Sequence, residues 1–248
     1  MADVGHTCQN AEEKTLTNNK IRMADQVEKE TQRVEAFSDG VFAIAITLLV
    51  LELHVPKHTE IASGGLAAAL LHEWPAYFAF LTSFLSILVM WFNHHKLFNF
   101  IRKVDSLLLY LNGFLLMVIC AVPWPTALAA EHWGHGQENE MMAAKVYCGL
   151  MVVLAIGFNA LWRYATYKGK LLYHDIDLEE VEKITRAYTL GPTGYLLAFI
   201  LSFWNATAGM MVCVALAVFF AFTGCLDTKP ILKKVGKRRY NSISVILC

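Results

Sequence analysis

Six stretches of mostly apolar residues recur along the chain, at approximately 34–53, 66–92, 107–130, 145–166, 190–204 and 207–225. Each comes near the roughly 20 residues that a helix needs to cross a hydrocarbon core of about 30 Å. Inside such a core every backbone amide must be satisfied by the chain itself, which makes a helix the default form of each stretch. Composition points the same way. Hydrophobic residues make up 56% of the sequence and charged residues 17%, where a soluble domain carries roughly a quarter charged. The expected fold is an all-α integral membrane protein with six transmembrane helices.

Prolines and polar breaks refine these spans. The second begins loosely around Leu66 and has Pro75 near its outer end, and the third carries Pro123 and Pro125 near its exit. A kink there is tolerable only where neighbours satisfy the freed carbonyls. The last two spans are short, with Trp204-Asn205-Ala206-Thr207 as the polar break between them. A tight helical hairpin is expected in preference to one broken span.

Orientation follows from the cations, because short loops rich in Lys and Arg stay in the cytoplasm. Lys96, Arg102 and Lys103 follow the second span; Arg163, Lys168, Lys170, Lys183 and Arg186 follow the fourth; Lys229, Lys233, Lys234, Lys237, Arg238 and Arg239 follow the sixth. The intervening loops hold almost none, so both termini are expected in the cytoplasm. A formal net charge of zero conceals this asymmetry. The lipid bilayer is the partner that the composition implies, and no nucleic acid is expected.

The first 32 residues are polar and mixed in charge, without the apolar core of a cleaved signal peptide, and read as a cytoplasmic tail, disordered or loosely helical. In 174–188 the residues Ile176, Leu178, Val181, Ile184 and Tyr188 recur at helical spacings with acids between them, the pattern of an amphipathic helix joining the fourth and fifth spans. Residues 227–248 form a basic cytoplasmic tail.

Several chemistries find no support. Cys120, Cys148 and Cys213 lie inside spans, no C-x-x-C spacing occurs, and these thiols read as small buried hydrophobes. His94 and His95 are adjacent, so on a helix they point about 100° apart and cannot easily chelate one ion. His132 and His135 are better spaced but lack a third ligand. There is no H-E-x-x-H, G-x-S-x-G or phosphate loop, and no enzyme activity or cofactor is expected. TLGPTGY at 189–195 shares letters with a potassium-channel filter, yet Pro192 interrupts it, and a helix start with Pro192 in its first turn is the expected form.

The first span carries the polar residues that stand out. RVEAFSDGVFAIAITLLVLEL, residues 33–53, opens with Arg33, Glu35, Ser38 and Asp39, and charges at the mouth of a span are functional candidates. At 100° per residue Ile44, Leu48 and Leu51 fall within about 60° of one another, with Thr47 beside them. Most stripes of this kind pack against neighbouring spans, and periodicity alone does not identify a pore. Ser38 and Asp39 are turned well away from that stripe.

The contiguous run RVEAFSDG followed by VFAIAITLLVLEL closely resembles the signature of the transmembrane protein 175 family, Arg, three residues, then Phe-Ser-Asp-Gly, here Arg33, Phe37, Ser38, Asp39 and Gly40. WFNHHKLF at 91–98 is similar to that family's second-span ending. The resemblance implies a channel domain over 33–226 and a potassium-permeable leak channel of moderate selectivity. It also implies a single-repeat, prokaryotic-type member assembled as a homotetramer, with potassium ions as its permeating partner. The location implied is the cell membrane, or an endosomal or lysosomal membrane in a eukaryote. Carried onto this sequence, Ile44, Leu48 and Leu51 become constricting layers around the pathway and Thr47 a ring of hydroxyls. Four branched side chains meeting on an axis exclude water, and a dewetted constriction blocks ions. Arg33, Ser38 and Asp39 near the cytoplasmic end, with His94 and His95 arriving there, suggest a polar brace in which Ser38 and Asp39 bond to Arg33, His94 or Asn93. A proton-conducting channel and a secondary transporter of a small solute are the competing functions. The nearly all-apolar mid-span regions, with Asn112 and Asn159 as the main exceptions, speak against the transporter.

Overall fold

The computed structural model describes residues 3–53, 55–56, 65–134, 136–167, 171–172 and 178–226. Among them the chain is helical: α1 (Asp3–Leu48), a 3-10 turn (Leu49–Glu52), α2 (Gly65–His72), α3 (Trp74–Phe98), α4 (Ser106–Cys120), α5 (Pro123–His132), α6 (Gln137–Thr166), α7 (Leu178–Leu201) and α8 (Ala206–Leu226). The expected basic tail at 227–248, and His54, His58 and His135, lie outside the described residues.

Among the described residues four stretches are long and apolar enough to cross a membrane: Gln26–Leu51, Trp74–Phe98, Ser106–His132 and Gln137–Thr166. Ala206–Phe222 is apolar but shorter. The first half of α7 carries Glu179, Glu180, Glu182, Lys183 and Arg186, and α7 is not among these four.

Helix boundaries depart from the sequence reading where local chemistry intervenes. The N-terminal segment is helical from Asp3, and α1 runs without a break across the boundary expected between residues 32 and 33. Thr31 is buried in that region and its hydroxyl lies within hydrogen-bond reach of the carbonyls of Val27 and Arg102. The second span starts at Trp74 rather than Leu66. Pro75 occupies the first turn of α3, where its missing N–H has no partner to lose, and α2 is a separate helix that buries none of its residues.

The third span is interrupted at Ala121–Val122, and Pro123 and Pro125 open α5. The Val122 carbonyl accepts the Thr126 hydroxyl at 2.8 Å and the Thr126 amide at 3.3 Å, so the break leaves this group paired. Asp105 caps α4, its carboxylate accepting the Leu108 amide at 2.9 Å and the Tyr164 hydroxyl at 2.6 Å. Desolvation pushes this carboxyl up, but the bonds from Tyr164 and the backbone, with Lys103 nearby, outweigh it and hold the group below its ordinary range.

The stretch expected as the fifth span departs most from the sequence reading. The amphipathic segment and the span are one helix, α7, and Pro192 lies inside it rather than at its start. Val181, Ile184 and Tyr188 pack against the core, while Ile176 is outside the described residues. A proline in a helix interior removes the bond to the carbonyl four residues back, here that of Tyr188. Asn159 on α6 supplies the replacement, its Nδ2 donating to the Tyr188 carbonyl at 2.8 Å.

α7 and α8 form the expected hairpin. Asn205 Oδ1 accepts the Ala208 amide at 3.0 Å at the turn. A side chain at Gly209 would come within 2.9 Å of the Ala198 carbonyl oxygen, so the two helices pack backbone to backbone there. α6 forms the centre of the core: Tyr147, Cys148, Met151, Leu154, Leu161 and Trp162 are buried, and it packs against α4, α5, α7 and α8. α1 sits at the side, against α3 and α4. Only 22% of its most apolar part is buried, against 44% for α6.

Asn159→Leu is expected to leave the Tyr188 carbonyl unpaired, at a cost of about 1–3 kcal/mol. Pro192→Ala, which restores the missing N–H, should cancel most of that loss. Thermal unfolding of the four proteins of this double-mutant cycle in detergent measures the coupling, and strictly additive losses would contradict the pairing.

Candidate functional site

The spacing of residues on α1 gives the helix two faces, one through Ser38, Phe42, Ala45 and Leu49 and one through Phe37, Ile44, Leu48 and Leu51. In the structure Ser38, Phe42, Ala45 and Leu49 are all buried. Phe37 is 67% exposed, Ile44 58%, Leu48 40% and Leu51 74%. Arg33, Gly40 and Thr47 are exposed as well. The Thr47 hydroxyl donates back to the Ile44 carbonyl at 2.9 Å, which leaves its oxygen lone pairs unused. Large branched side chains that remain uncovered while their neighbours are buried need another surface, either lipid or further protein.

The buried face is fastened by a directed chain of hydrogen bonds. The Ser38 hydroxyl donates to the Val34 carbonyl at 2.8 Å. Its one hydrogen is thereby used, so it accepts from Asn112 Nδ2 at 3.0 Å. Asn112 then turns its Oδ1 toward His94 Nε2, 2.8 Å away, and this nitrogen must carry the proton of a neutral ring. His94 Nδ1 has no hydrogen-bond partner. The His94 ring lies between Phe42 and Phe98, at centroid distances of 5.3 and 4.5 Å. Three helices, α1, α3 and α4, are joined by this chain at residues that are each nearly inaccessible.

A second set of contacts lies beside it. Trp91 Nε1 donates to Asp39 Oδ1 at 2.8 Å, and the Trp91 ring stacks on His95 at 6.1 Å. His95 Nδ1 lies 2.7 Å from the Glu35 carboxylate. His94 and His95 thus serve different partners, in line with their 100° separation on the helix.

These contacts differ from those expected of a polar brace. Ser38 reaches His94 through Asn112 and not directly, and Asp39 is bound by Trp91. Asn93 contributes its backbone carbonyl to Tyr188 Oη at 3.3 Å, not a bond to Ser38 or Asp39. Arg33 is a partner of neither; it lines an open cleft of about 700 Å³ between α1 and α4 with Phe37, Asp105, Leu109 and others. Asn112 and Trp91 are the partners that sequence reading missed, and Glu35, named there only as a charge at the mouth of the span, is the neighbour of His95. The available signal was Asn112, a lone amide in an apolar span, which must find a partner when buried. Among the described residues no group of three or more His, Cys, Asp or Glu could hold a metal ion.

Comparison with known proteins bears on most of the chain. Residues 33–123 match the model of the family described as Endosomal/lysosomal potassium channel TMEM175. A potassium channel of Chamaesiphon minutus is 51% identical over 194 residues, covering 78% of this chain and 95% of its own length. A potassium channel of Streptomyces collinus is 44% identical over 193 residues, covering 78% of this chain and 92% of its own. The crystal structure of a lysosomal potassium-selective channel TMEM175 homolog from Chamaesiphon minutus aligns with a TM-score of 0.73 at 49% identity, over 79% of this chain and 99% of that one. The Gallus gallus endosomal/lysosomal proton channel TMEM175 is 34% identical over 168 residues, 65% of this chain but 33% of the longer animal protein. Likeness at this identity, extending over nearly the full length of bacterial channels, places this multi-pass membrane protein in the TMEM175 family of ion channels.

Proposed function

We propose that four copies of this chain form a potassium-permeable leak channel in the cell membrane, with six spans per copy, both termini cytoplasmic and α1 of each copy around the central path. One observation carries the proposal. α1 is the least covered of the four long apolar stretches among the described residues, and its uncovered side is an apolar stripe turned out of its own bundle. A helix that lines a symmetry axis must leave one face out of its own bundle.

Ile44, Leu48 and Leu51 then form three stacked rings, the first two separated by about 6 Å along the α-helix and the last two by about 6 Å along the 3-10 turn. Such rings close by dewetting, and a small rotation or dilation of α1 readmits water. An alkyl ring cannot replace the hydration shell of an ion, so discrimination rests on Thr47 and on the width of the path. The Thr47 hydrogen is engaged by the Ile44 carbonyl, and its oxygen is free to face a cation. Moderate preference for potassium over sodium is the expected outcome. Proton conduction is the second reading, because the longer animal relatives are called proton channels; a water file past Thr47 would serve it.

The buried face serves as the brace. Ser38, Asn112 and His94, with Asp39 on Trp91, hold the tilt and rotation of α1 and so the alignment of the rings. Damage there acts on assembly and gating before it acts on selectivity.

Reversal potentials of the purified protein in liposomes, under potassium, sodium and proton gradients, distinguish these readings. A potassium-favouring potential is expected, a proton-dominated one would select the second reading, and intact tetramers without flux would sink both. Ile44→Asn and Leu48→Ser are each expected to raise the leak at least several-fold, and unchanged conductance would place the gate elsewhere. Asn112→Leu strands the His94 Nε2–H and Ser38→Ala strands the Asn112 Nδ2–H, each at about 1–3 kcal/mol. Melting curves in detergent that show no loss for either variant would contradict the directed chain.

A further inference from the structure

Away from α1, the fold brings two thiols into contact. Cys148 on α6 and Cys213 on α8 place their Sγ atoms 3.5 Å apart, and both residues are buried. They are 65 positions apart in sequence with no C-x-x-C spacing, so the sequence reading as separate small hydrophobes missed the pair. α6 and α8 pack against each other, and the two cysteines sit within that contact. A disulfide requires about 2.05 Å between the sulfurs, roughly 1.5 Å less than the distance found. An approach of that size, by the side chains and helices together, is what the bond needs.

We propose that Cys148 and Cys213 are a reversible dithiol–disulfide pair, oxidised by hydrogen peroxide or a comparable hydroperoxide, that staples α6 to α8. The thiolate of one cysteine attacks the peroxide and cleaves its O–O bond, giving a sulfenic acid and hydroxide. The second sulfur attacks the first, the S–S bond forms, and the sulfenic oxygen leaves as water. In sum two thiols and one hydrogen peroxide give one disulfide and two waters, with sulfur oxidised and peroxide reduced. Tyr147, adjacent to Cys148 in sequence, and Met210, one turn before Cys213, wall a cavity of about 200 Å³ together with Trp74, Phe78 and Trp133, and neither cysteine is among its lining residues. The proposal has hydrogen peroxide, a molecule little larger than water, enter this cavity and reach the pair by a local opening of its wall. The staple would close a long loop of chain, the condition under which a cross-link constrains the unfolded state most. None of this depends on which ion the chain conducts.

The test uses the full chain with the other four cysteines, Cys8, Cys120, Cys225 and Cys248, replaced by Ser, reconstituted in liposomes. Before and after hydrogen peroxide the protein is denatured, labelled with a maleimide and weighed. Two labels are expected before oxidation, none after it with a mass lower by two hydrogens, and two again after dithiothreitol. The oxidised form should melt higher by about 5 °C or more. Adding Cys148→Ser or Cys213→Ser should leave one thiol that labels and remove the melting shift. Should the multiply substituted chain fail to fold, peptide mapping of the oxidised wild-type chain is expected to recover the Cys148–Cys213 cross-link. Two labels persisting after peroxide, oxygen adducts without the cross-link, or a bond between chains in place of it would each overturn the proposal.

Discussion

The hydrogen-bonded chain from His94 through Asn112 and Ser38 to the Val34 carbonyl is the interaction on which the arrangement of α1 depends. Buried polar groups cost several kcal/mol when unpaired in an apolar medium, and this chain has one consistent order of donors and acceptors. The hydroxyl hydrogen goes to the backbone, the amide hydrogen to the hydroxyl, and the imidazole hydrogen to the amide oxygen. A rotation of α1 that moved Ser38 out of line would strand the Asn112 amide inside the protein. Because Phe42, Ala45 and Leu49 are buried on the same face, apolar packing and polar pairing fix the helix in one rotational setting.

That setting decides what α1 can do with its other side. Phe37, Ile44, Leu48 and Leu51 are left uncovered by the chain's own helices, and the charged and polar members of the signature divide between the two faces. Ser38 lies within the bundle and Asp39 beside it, bound to Trp91, whereas Arg33 stands at the open α1–α4 cleft. In the proposed channel the brace sets geometry and the uncharged residues gate. Such a division explains closure better than it explains ion choice, and the family itself includes proteins called potassium channels and proteins called proton channels.

Much of this was legible in the residues. The apolar stretches announced helices, the hairpin between α7 and α8 followed from one polar break, and RVEAFSDG carried the family. What stayed hidden depends on contacts between segments remote in sequence. Pro192 looked like a helix start because a proline interior to a helix needs a compensating donor, and that donor, Asn159, lies on another helix. Asn112 looked like an isolated polar exception until the fold placed it between Ser38 and His94. Cys148 and Cys213 carry no spacing signal at all and meet only through the packing of α6 on α8. The offset of the second span had a local cause that could have been read: Pro75 favours the first turn of a helix, and α3 begins beside it.

The central claim is that the exposed stripe of α1 faces a water path and the buried stripe faces protein. Accessibility of single cysteines to a charged, membrane-impermeant thiosulfonate tests it directly, with potassium flux from liposomes as the readout and the reactive native cysteines removed. Ile44→Cys, Leu48→Cys and Leu51→Cys are predicted to be modified and to lose flux, while Phe42→Cys and Ala45→Cys remain unmodified. Modification of the Phe42 and Ala45 positions with protection of the Ile44 stripe, or protection of all five, would contradict the account.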